Sequence, residues 1–410
     1  MPSSLPNGDV PPPDGLLPRS AALGAPSRNL GLYIHIPFCA VRCGYCDFNT
    51  YTASELTGVS QSTYPDQASW EISFAAQVLA ESDLPQRELA TVFFGGGTPT
   101  LLGPQPLLTL LRRARDSFGL KPEAEVTVEA NPDSIGESDL LDLAQGGVTR
   151  VSLGVQSHDK SVLATLDRTH NPAAVPQVVS WAQQAGLQVS LDLIYGTPGE
   201  TIESWKHTLD WALSLEPDHI SAYALIVEQG TALASRIRRG DIQPPDDDLH
   251  ADMYEVADVV LSKAGFSWYE VSNWAKSPAC QSRHNQSYWK SDDWWGVGPG
   301  AHSHVGGVRW WNVKHPSAYA ERVHQSVSPA HARESLTPEA QLLESLMLGI
   351  RMREGLRVEA IPGDHTSLLA EWVSRGLIEG RELLDGRICP TVEGRLKADY
   401  LARELSSSVG

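Results

Sequence analysis

Short apolar runs alternate with amphipathic stretches through the first half of the chain. The runs are rich in β-branched and aromatic residues, and the stretches between them repeat apolar residues with the period of an α-helix. The predicted strands are LGLYIHIP (30–37), ATVFFGG (90–96), AEVTVEANP (124–132), RVSLGVQS (150–157), QVSLDLIYG (188–196) and HISAYALIV (219–227). Helical patterns include ASWEISFAAQVLAES (68–82), QPLLTLLRRARDSFG (105–119) and VPQVVSWAQQAGL (175–187).

Strands that alternate with helices predict a parallel sheet joined by right-handed crossovers. Six such units favour an incomplete (β/α)6 TIM-like barrel, although the pattern alone is also compatible with a doubly wound sheet. Both architectures bind ligands at the carboxyl ends of their strands. The residues with chemical potential fall at or near those ends: the cysteines that follow the first strand, Gly95–Thr98, Glu129, Asn131, Gln156 and Asp192.

Changes of composition divide the chain into four regions. The Pro- and Ser-rich start predicts a disordered tail over residues 1–28, and the α/β barrel occupies 29–262. Residues 263–328 form an extension rich in Trp and His, with seven of the twelve tryptophans. Amphipathic patterns over 337–356 and 365–378 predict a small, mostly helical C-terminal domain across 329–410.

The net charge of −18 disfavours binding to a nucleic-acid backbone, since the surface is strongly acidic and carries no basic cluster. No apolar run reaches the length that a membrane-spanning helix needs, and the N-terminus lacks the features of a signal peptide. Five cysteines, three of them close together, do not resemble a disulfide framework. We therefore expect a cytoplasmic protein.

The segment CAVRCGYCDF (39–48) places Cys39, Cys43 and Cys46 directly after the first predicted strand. A structural zinc ion needs four ligands, so a zinc site here requires a distant fourth residue. An iron–sulfur cubane with three thiolates leaves one iron open to another ligand. The spacing favours the cluster, with zinc as the alternative, and we expect Cys280 and Cys389 to be structural.

The segments YIHIPFCAVRCGYCDF, GGGTPT, EANP, LGVQS with LDRTH, and DLIYGTPGET together resemble the coproporphyrinogen oxidase-like branch of the radical S-adenosylmethionine (SAM) superfamily. The resemblance implies a 4Fe–4S cluster whose open iron binds SAM. Carboxylates suit ribose hydroxyls and a guanidinium suits the SAM carboxylate. By resemblance, the SAM site comprises Tyr33, Gly96, Gly97, Thr98, Glu129, Gln156, Arg168 and Asp192, with His302 nearby.

This branch holds two functions, a heme chaperone and an oxygen-independent coproporphyrinogen III oxidase that decarboxylates two propionates. The oxidases carry a further cysteine where this chain has Phe48, and they have a longer N-terminal lobe. The motif HNQSYW (284–289) resembles that of the chaperones. We expect a heme chaperone, with the oxidase as the alternative. A methyltransferase of the same branch would show further functional cysteines.

His284 of this motif is the first candidate for a heme-binding residue, because neutral imidazole is a good axial ligand of heme iron. Tyr288 and Trp289 would then offer flat contacts to the porphyrin. A hydrogen-bonded core position is the alternative for His284, and His302 and His304 are rival ligands. The expected partners are heme and an unidentified acceptor apoprotein; a homodimer and a peripheral membrane contact are compatible with the sequence.

Overall fold

The computed structural model describes residues 7–56 and 60–409. All six predicted strands form, because each apolar run is flanked by helix-forming segments whose apolar faces cover it. The barrel elements are β1 (Leu30–Ile36), α1 (Tyr64–Glu81), β2 (Leu89–Gly96), α2 (Pro104–Phe118), β3 (Leu120–Ala130), α3 (Glu137–Gln145), β4 (Arg150–Gln156), α4 (Lys160–Thr165), α5 (Val175–Gln184), β5 (Gln188–Tyr195), α6 (Ile202–Ser214), β6 (His219–Ala224), α7 (Ala232–Arg239) and α8 (Asp247–Lys263).

Strands β1 to β6 lie side by side in chain order, and every neighbouring pair is parallel. A doubly wound sheet would reverse its strand order at a switch point, and no reversal occurs in this series. The barrel does not close, since further strands extend both edges: β9 pairs with β1, and β8 pairs with β6. The incomplete TIM-like barrel predicted from the sequence is therefore confirmed.

The residues after α8 complete a single twelve-stranded sheet with the barrel strands. Its order is β12-β11-β10-β9-β1-β2-β3-β4-β5-β6-β8-β7. The Trp- and His-rich extension thus continues the barrel wall on both sides. Its elements are β7 (Ser267–Glu270), β8 (Asn273–Ala275), α9 (Arg283–Trp289), β9 (Asp293–Val297), β10 (His302–Val305), β11 (Val308–Asn312) and α10 (Pro316–His324). The last strand of the sheet, β12 (Ala330–Ser335), lies just beyond the extension, in the region predicted as the C-terminal domain.

The N-terminal segment differs from the predicted disordered tail. Residues 1–6 lie outside the described part, but residues 7–28 pack against the fold. Asp9 pairs its backbone with Arg333 at the free edge of β12, and Leu17 is buried. Ala21 and Ala25 are fully buried in the main core. The Pro-rich composition prevents regular structure here, but the edge of the sheet satisfies the backbone and the core accepts the small apolar side chains.

The C-terminal helices form a smaller unit with a hydrophobic core of its own, which includes Leu346, Trp372 and Leu401. Arg395 joins this unit to the barrel, because its guanidinium makes two hydrogen bonds to Asp258 and lies 4.2 Å from the ring of Trp268. No helix in the described ranges is long and apolar enough to cross a membrane. The elements of the C-terminal unit are α11 (Pro338–Gly349), β13 (Leu356–Arg357), α12 (Thr366–Ser374), α13 (Gly380–Leu384), β14 (Arg387–Ile388), α14 (Val392–Leu396) and α15 (Ala398–Val409).

Candidate functional site

The three clustered cysteines lie on a loop that leaves the carboxyl end of β1. The backbone amide of Cys39 donates to the carbonyl of Tyr51 (3.0 Å), and Tyr51 donates to Pro37 (2.7 Å), so the two ends of the loop are held together. The amide of Cys46 donates to the carbonyl of Cys43 (3.2 Å), which forms a tight turn between them. Backbone hydrogen bonds therefore fix the conformation of the loop.

The middle of this loop is fixed to the opposite side of the barrel mouth. The amide of Gly44 donates to Leu166 (3.0 Å), and its carbonyl accepts from Leu233 at the start of α7 (2.7 Å). Leu166 and Leu233 belong to a small apolar cluster, separate from the main core, against which Tyr45 packs. The cysteine loop consequently spans from β1 to the segments that follow β4 and β6.

The thiols of this loop need a positive partner in order to ionise. Burial raises the pKa of Cys39, and it raises the pKa of Cys46 to about 11. Arg168 supplies one positive group, because its guanidinium donates to the sulfur of Cys43 (3.4 Å). Bound iron would oppose the effect of burial and lower the pKa values of these thiols, since a metal binds the thiolate form.

A single metal ion has no ready-made site in the described ranges, where no three His, Cys, Asp or Glu side chains gather closely enough to hold one. Three thiolates on a cubane each bind a different iron, so they do not need to converge on one point. Three thiols match a cubane with one open iron, whereas a closed zinc site needs a fourth ligand.

The glycines that follow β2 lie directly beneath the cysteine loop. A side-chain carbon on Gly97 would lie 2.4 Å from the carbonyl oxygen of Phe38 and 3.0 Å from the sulfur of Cys39. Gly96 has a φ of +110°, which other residues adopt only with strain. The amide of Thr98 donates to Phe38 (2.7 Å). Bare backbone thus packs directly against the cysteine loop at this point.

Two carboxyl groups face the interior of the barrel. Glu129 accepts from the amide of Gly96 (3.1 Å), and burial together with the charge of Asp192 raises the pKa of Glu129 to about 8. Asp192 accepts from the hydroxyls of Ser152 and Ser221 (2.8 Å each), and burial raises its pKa. A cationic ligand or one rich in hydroxyl groups would relieve this unfavourable burial.

Gln156 and Arg168 supply polar atoms that lack partners in the described structure. Gln156 has a φ of +60° at a bulge in the β4–β5 pairing, and its side-chain oxygen is buried without a hydrogen bond. Arg168 donates to the carbonyl of Gly154 (2.6 Å), yet its Nε is also buried and unpaired. Strained backbone and orphaned buried groups are typical of a ligand site, and here they suit a zwitterionic ligand.

Tyr33 and His35 line the same interior from β1, and they form a short hydrogen-bonded chain. The Nε2 of His35 faces the carbonyl of Asn49 (2.9 Å) and must donate to it, so Nδ1 accepts from the hydroxyl of Tyr33 (3.0 Å). The sequence analysis did not identify His35. The signal was present in YIHI, where Tyr33 and His35 alternate with residues of the buried outer face.

His284 does not face an open surface. It is 1% exposed, its Nδ1 bonds to the hydroxyl of Thr91 (2.8 Å), and its Nε2 bonds to that of Tyr288 (2.8 Å). Its ring stacks on Phe93 with centroids 4.9 Å apart. The backbone amide of His284 donates to Glu125 (3.1 Å), so helix α9 seals the amino end of the barrel. These contacts match the core position that the sequence analysis held as the alternative.

His302 and His304 lie on β10, on the sheet face that continues the barrel interior. His304 is buried, and its ring bonds to the carbonyl of Asp292 (3.0 Å) and the amide of Gly307 (3.2 Å). His302 is half-buried and stacks near Trp311. Burial and the nearby charges of Lys314, His35 and Arg309 lower the pKa of His302 to about 4. The structure thus brings His302 to the barrel mouth, apart from His284.

Comparisons with known proteins agree with this geometry. Residues 33–212 match the model of the radical SAM superfamily. The chain is 46% identical to the heme chaperone HemW of Mycobacterium tuberculosis over 382 residues, which cover 93% of this chain and 95% of that protein. HemW of Bacillus subtilis is 33% identical over 362 residues, covering 85% and 93%. The solved structure of coproporphyrinogen III oxidase (HemN) from Escherichia coli superposes with a TM-score of 0.79 at 24% identity, covering 95% of this chain and 92% of that one, and this likeness shows the fold alone.

Proposed function

Because this chain belongs to the family of the heme chaperone HemW within the radical SAM superfamily, we propose that it binds heme and transfers it to an acceptor apoprotein. The observation that carries this proposal is the identity to HemW proteins over nearly the whole of both chains. The fold likeness to an oxidase does not oppose it, since one fold hosts many functions.

The radical SAM site carries a 4Fe–4S cluster and SAM. We propose Cys39, Cys43 and Cys46 as the cluster ligands, because they lie on one loop whose ends are held together and the sulfur of Cys43 accepts from Arg168. When bound, the reduced cluster supplies an electron to SAM. The proposed SAM residues are Tyr33, Gly96, Gly97, Thr98, Glu129, Gln156, Arg168 and Asp192.

These residues would bind SAM through complementary groups. Arg168 and the buried oxygen of Gln156 offer an unpaired donor and an unpaired acceptor for the amino-acid end. Glu129 and Asp192 can accept from ribose hydroxyls, and Asp192 is already oriented by two serines. Gly97 lets the backbone after β2 pack against the cysteine loop and so brings the proposed SAM residues close to the cysteines. Each assignment follows from a contact or a missing partner at its position.

Three large apolar side chains near the mouth of the barrel are exposed. Phe48 on the cysteine loop is 58% exposed, Tyr223 at the end of β6 is 41% exposed, and Ile226 just beyond it is 68% exposed. A porphyrin is flat and mainly apolar, so side chains of this kind would suit contact with heme. We propose the cytoplasm as the location of the protein. The surface of the described residues does not by itself favour a homodimer or a membrane contact.

The test compares both functions on one preparation. The reconstituted and reduced protein is titrated with heme and, separately, incubated with SAM and coproporphyrinogen III. We expect a stable heme complex with a shifted Soret band and no turnover of the porphyrinogen. Multiple turnovers to protoporphyrinogen IX would contradict the chaperone function, and so would the absence of any heme complex. Serum albumin with heme serves as the control for non-specific binding.

A further inference from the structure

We propose that His302, and not His284, is the axial ligand of the heme iron. This proposal rests on the proposed heme-binding function. It adds the residue that would bind the iron and the wall of the barrel cleft on which this residue lies. We choose His302 because its imidazole nitrogens make no hydrogen bond within the described protein.

Five histidines lie along the inner face of the sheet or beneath it, and four of them have both ring nitrogens engaged. His35 bonds to Tyr33 and Asn49, His219 to Ser190 and Tyr269, and His284 to Thr91 and Tyr288, while His304 bonds to Asp292 and Gly307. An iron ion could bind these rings only after a hydrogen bond inside the protein had been broken.

His302 is the exception in this group. Neither of its ring nitrogens has a hydrogen bond to a described residue, and neither is among the buried polar atoms that lack a partner. Both conditions together mean that the ring nitrogens keep some exposure and are free to bind a ligand. His170 also lacks hydrogen bonds, but both of its nitrogens are buried in the segment between α4 and α5, where a porphyrin has no access.

The strand pairing places His302 on the wall of the cleft. Tyr33 pairs with Gly296, and Trp294 pairs with His304 on the next strand. Because alternate residues of a strand share a face, His302 faces the same side as Tyr33. A side-chain carbon on Gly296 would lie 2.2 Å from the carbonyl oxygen of His302. The position between Tyr33 and His302 is therefore a glycine, which carries no side chain.

The ring of His302 also lies beside a buried aromatic ring. Its centroid lies 6.1 Å from that of Trp311, the residue opposite it on β11, and the two rings are inclined by 25°. Trp311 itself is buried. This neighbour limits the orientations open to the His302 ring and lowers the entropy that binding to iron would cost.

The experiment measures the heme spectrum of the full-length, cluster-loaded protein and its variants. In His302→Ala we expect loss of the absorption and electron paramagnetic resonance signals of imidazole-ligated heme, and heme binding weakened by about tenfold or more through loss of an axial bond. Added imidazole should restore the signals. His304→Ala, on the same strand and face, is the matched control and should keep them, as should His284→Ala.

A second substitution covers the case in which His302→Ala fails to fold. His302→Cys should give the distinct spectrum of thiolate-ligated heme, whereas retention of the imidazole spectrum would overturn the assignment. An unchanged spectrum in folded His302→Ala would do the same and leave the proposed function intact. If the wild-type protein forms no heme complex at all, the proposed function itself fails.

Discussion

Cys43→Ala should abolish the iron–sulfur cluster. Each of the three thiolates binds a different iron, so removal of one exposes a second iron and leaves Arg168 without its sulfur partner. After anaerobic reconstitution we expect the bound iron and the charge-transfer absorbance to fall by roughly tenfold or more, because a protein ligand is lost. The same result is expected for Cys39→Ala and Cys46→Ala. Iron analysis together with absorbance spectroscopy measures the effect.

Cys280→Ala is the matched control for this experiment. Its half-buried thiol accepts only from the hydroxyl of Ser277 (3.3 Å), and it lies far along the chain from the cysteine loop. The control should bind as much iron as the wild-type protein. Full iron content and absorbance in Cys43→Ala would show that the cluster has other ligands.

Glu71→Ala should destabilise the fold more than any other single change considered in the barrel wall. Glu71 is completely buried in α1, and its carboxylate accepts from three groups of the extension: the amide of Gly298 (2.7 Å), the side-chain amide of Asn312 (2.8 Å) and the hydroxyl of Tyr319 (2.6 Å). Alanine leaves the amide of Gly298 and the hydroxyl of Tyr319 buried without this acceptor, while Asn312 keeps only its bond to the carbonyl of Gly298 (2.9 Å). We expect a loss of about 3–5 kcal/mol in the free energy of unfolding.

The destabilisation should depend on pH in a defined direction. Burial raises the pKa of Glu71 to about 7, against the hydrogen bonds that favour its charged form. A raised pKa means that the folded state holds the proton more tightly than the unfolded state. The contribution of Glu71 to the free energy of unfolding is therefore complete below its unfolded-state pKa and falls as the pH rises through about 7. The loss should be about 1 kcal/mol larger at pH 6 than at pH 8.

Urea unfolding of the cluster-loaded protein under anaerobic conditions measures both effects. Glu81→Ala provides the control, since Glu81 ends the same helix, is exposed and bonds only to Gln77 of that helix. It should change stability by less than about 0.5 kcal/mol. Equal losses in the two variants, or a loss at Glu71 that does not vary with pH, would contradict the account of the buried carboxylate.

The barrel was predictable because its signals are local. Each apolar run is bounded by turns, and the order of strands and helices leaves few topologies open. The extension was not predictable in the same way, because β9 joins β1 across most of the chain and only tertiary packing selects this pairing. The packing of the N-terminal segment was not predictable for a related reason: Asp9 and Ala21 gain their partners from distant residues.

The site was partly predictable for the same physical reasons. The cysteine spacing and Gly96–Gly97 lie in short segments, where sequence and contact coincide. The sequence left the role of His284 open, since a histidine beside aromatic residues can be either a ligand or a buried, hydrogen-bonded ring. The structure adds that Thr91 and Tyr288 bond to both nitrogens of His284.

The central claim is that three cysteines hold a 4Fe–4S cluster and leave one iron open for SAM. Electron paramagnetic resonance of the reduced, reconstituted protein with and without SAM tests it most directly. We predict the signal of a reduced cubane that shifts when SAM is added, because SAM changes the coordination of the open iron. A signal that is identical with and without SAM, or a purified protein that contains zinc in place of iron, would contradict the claim.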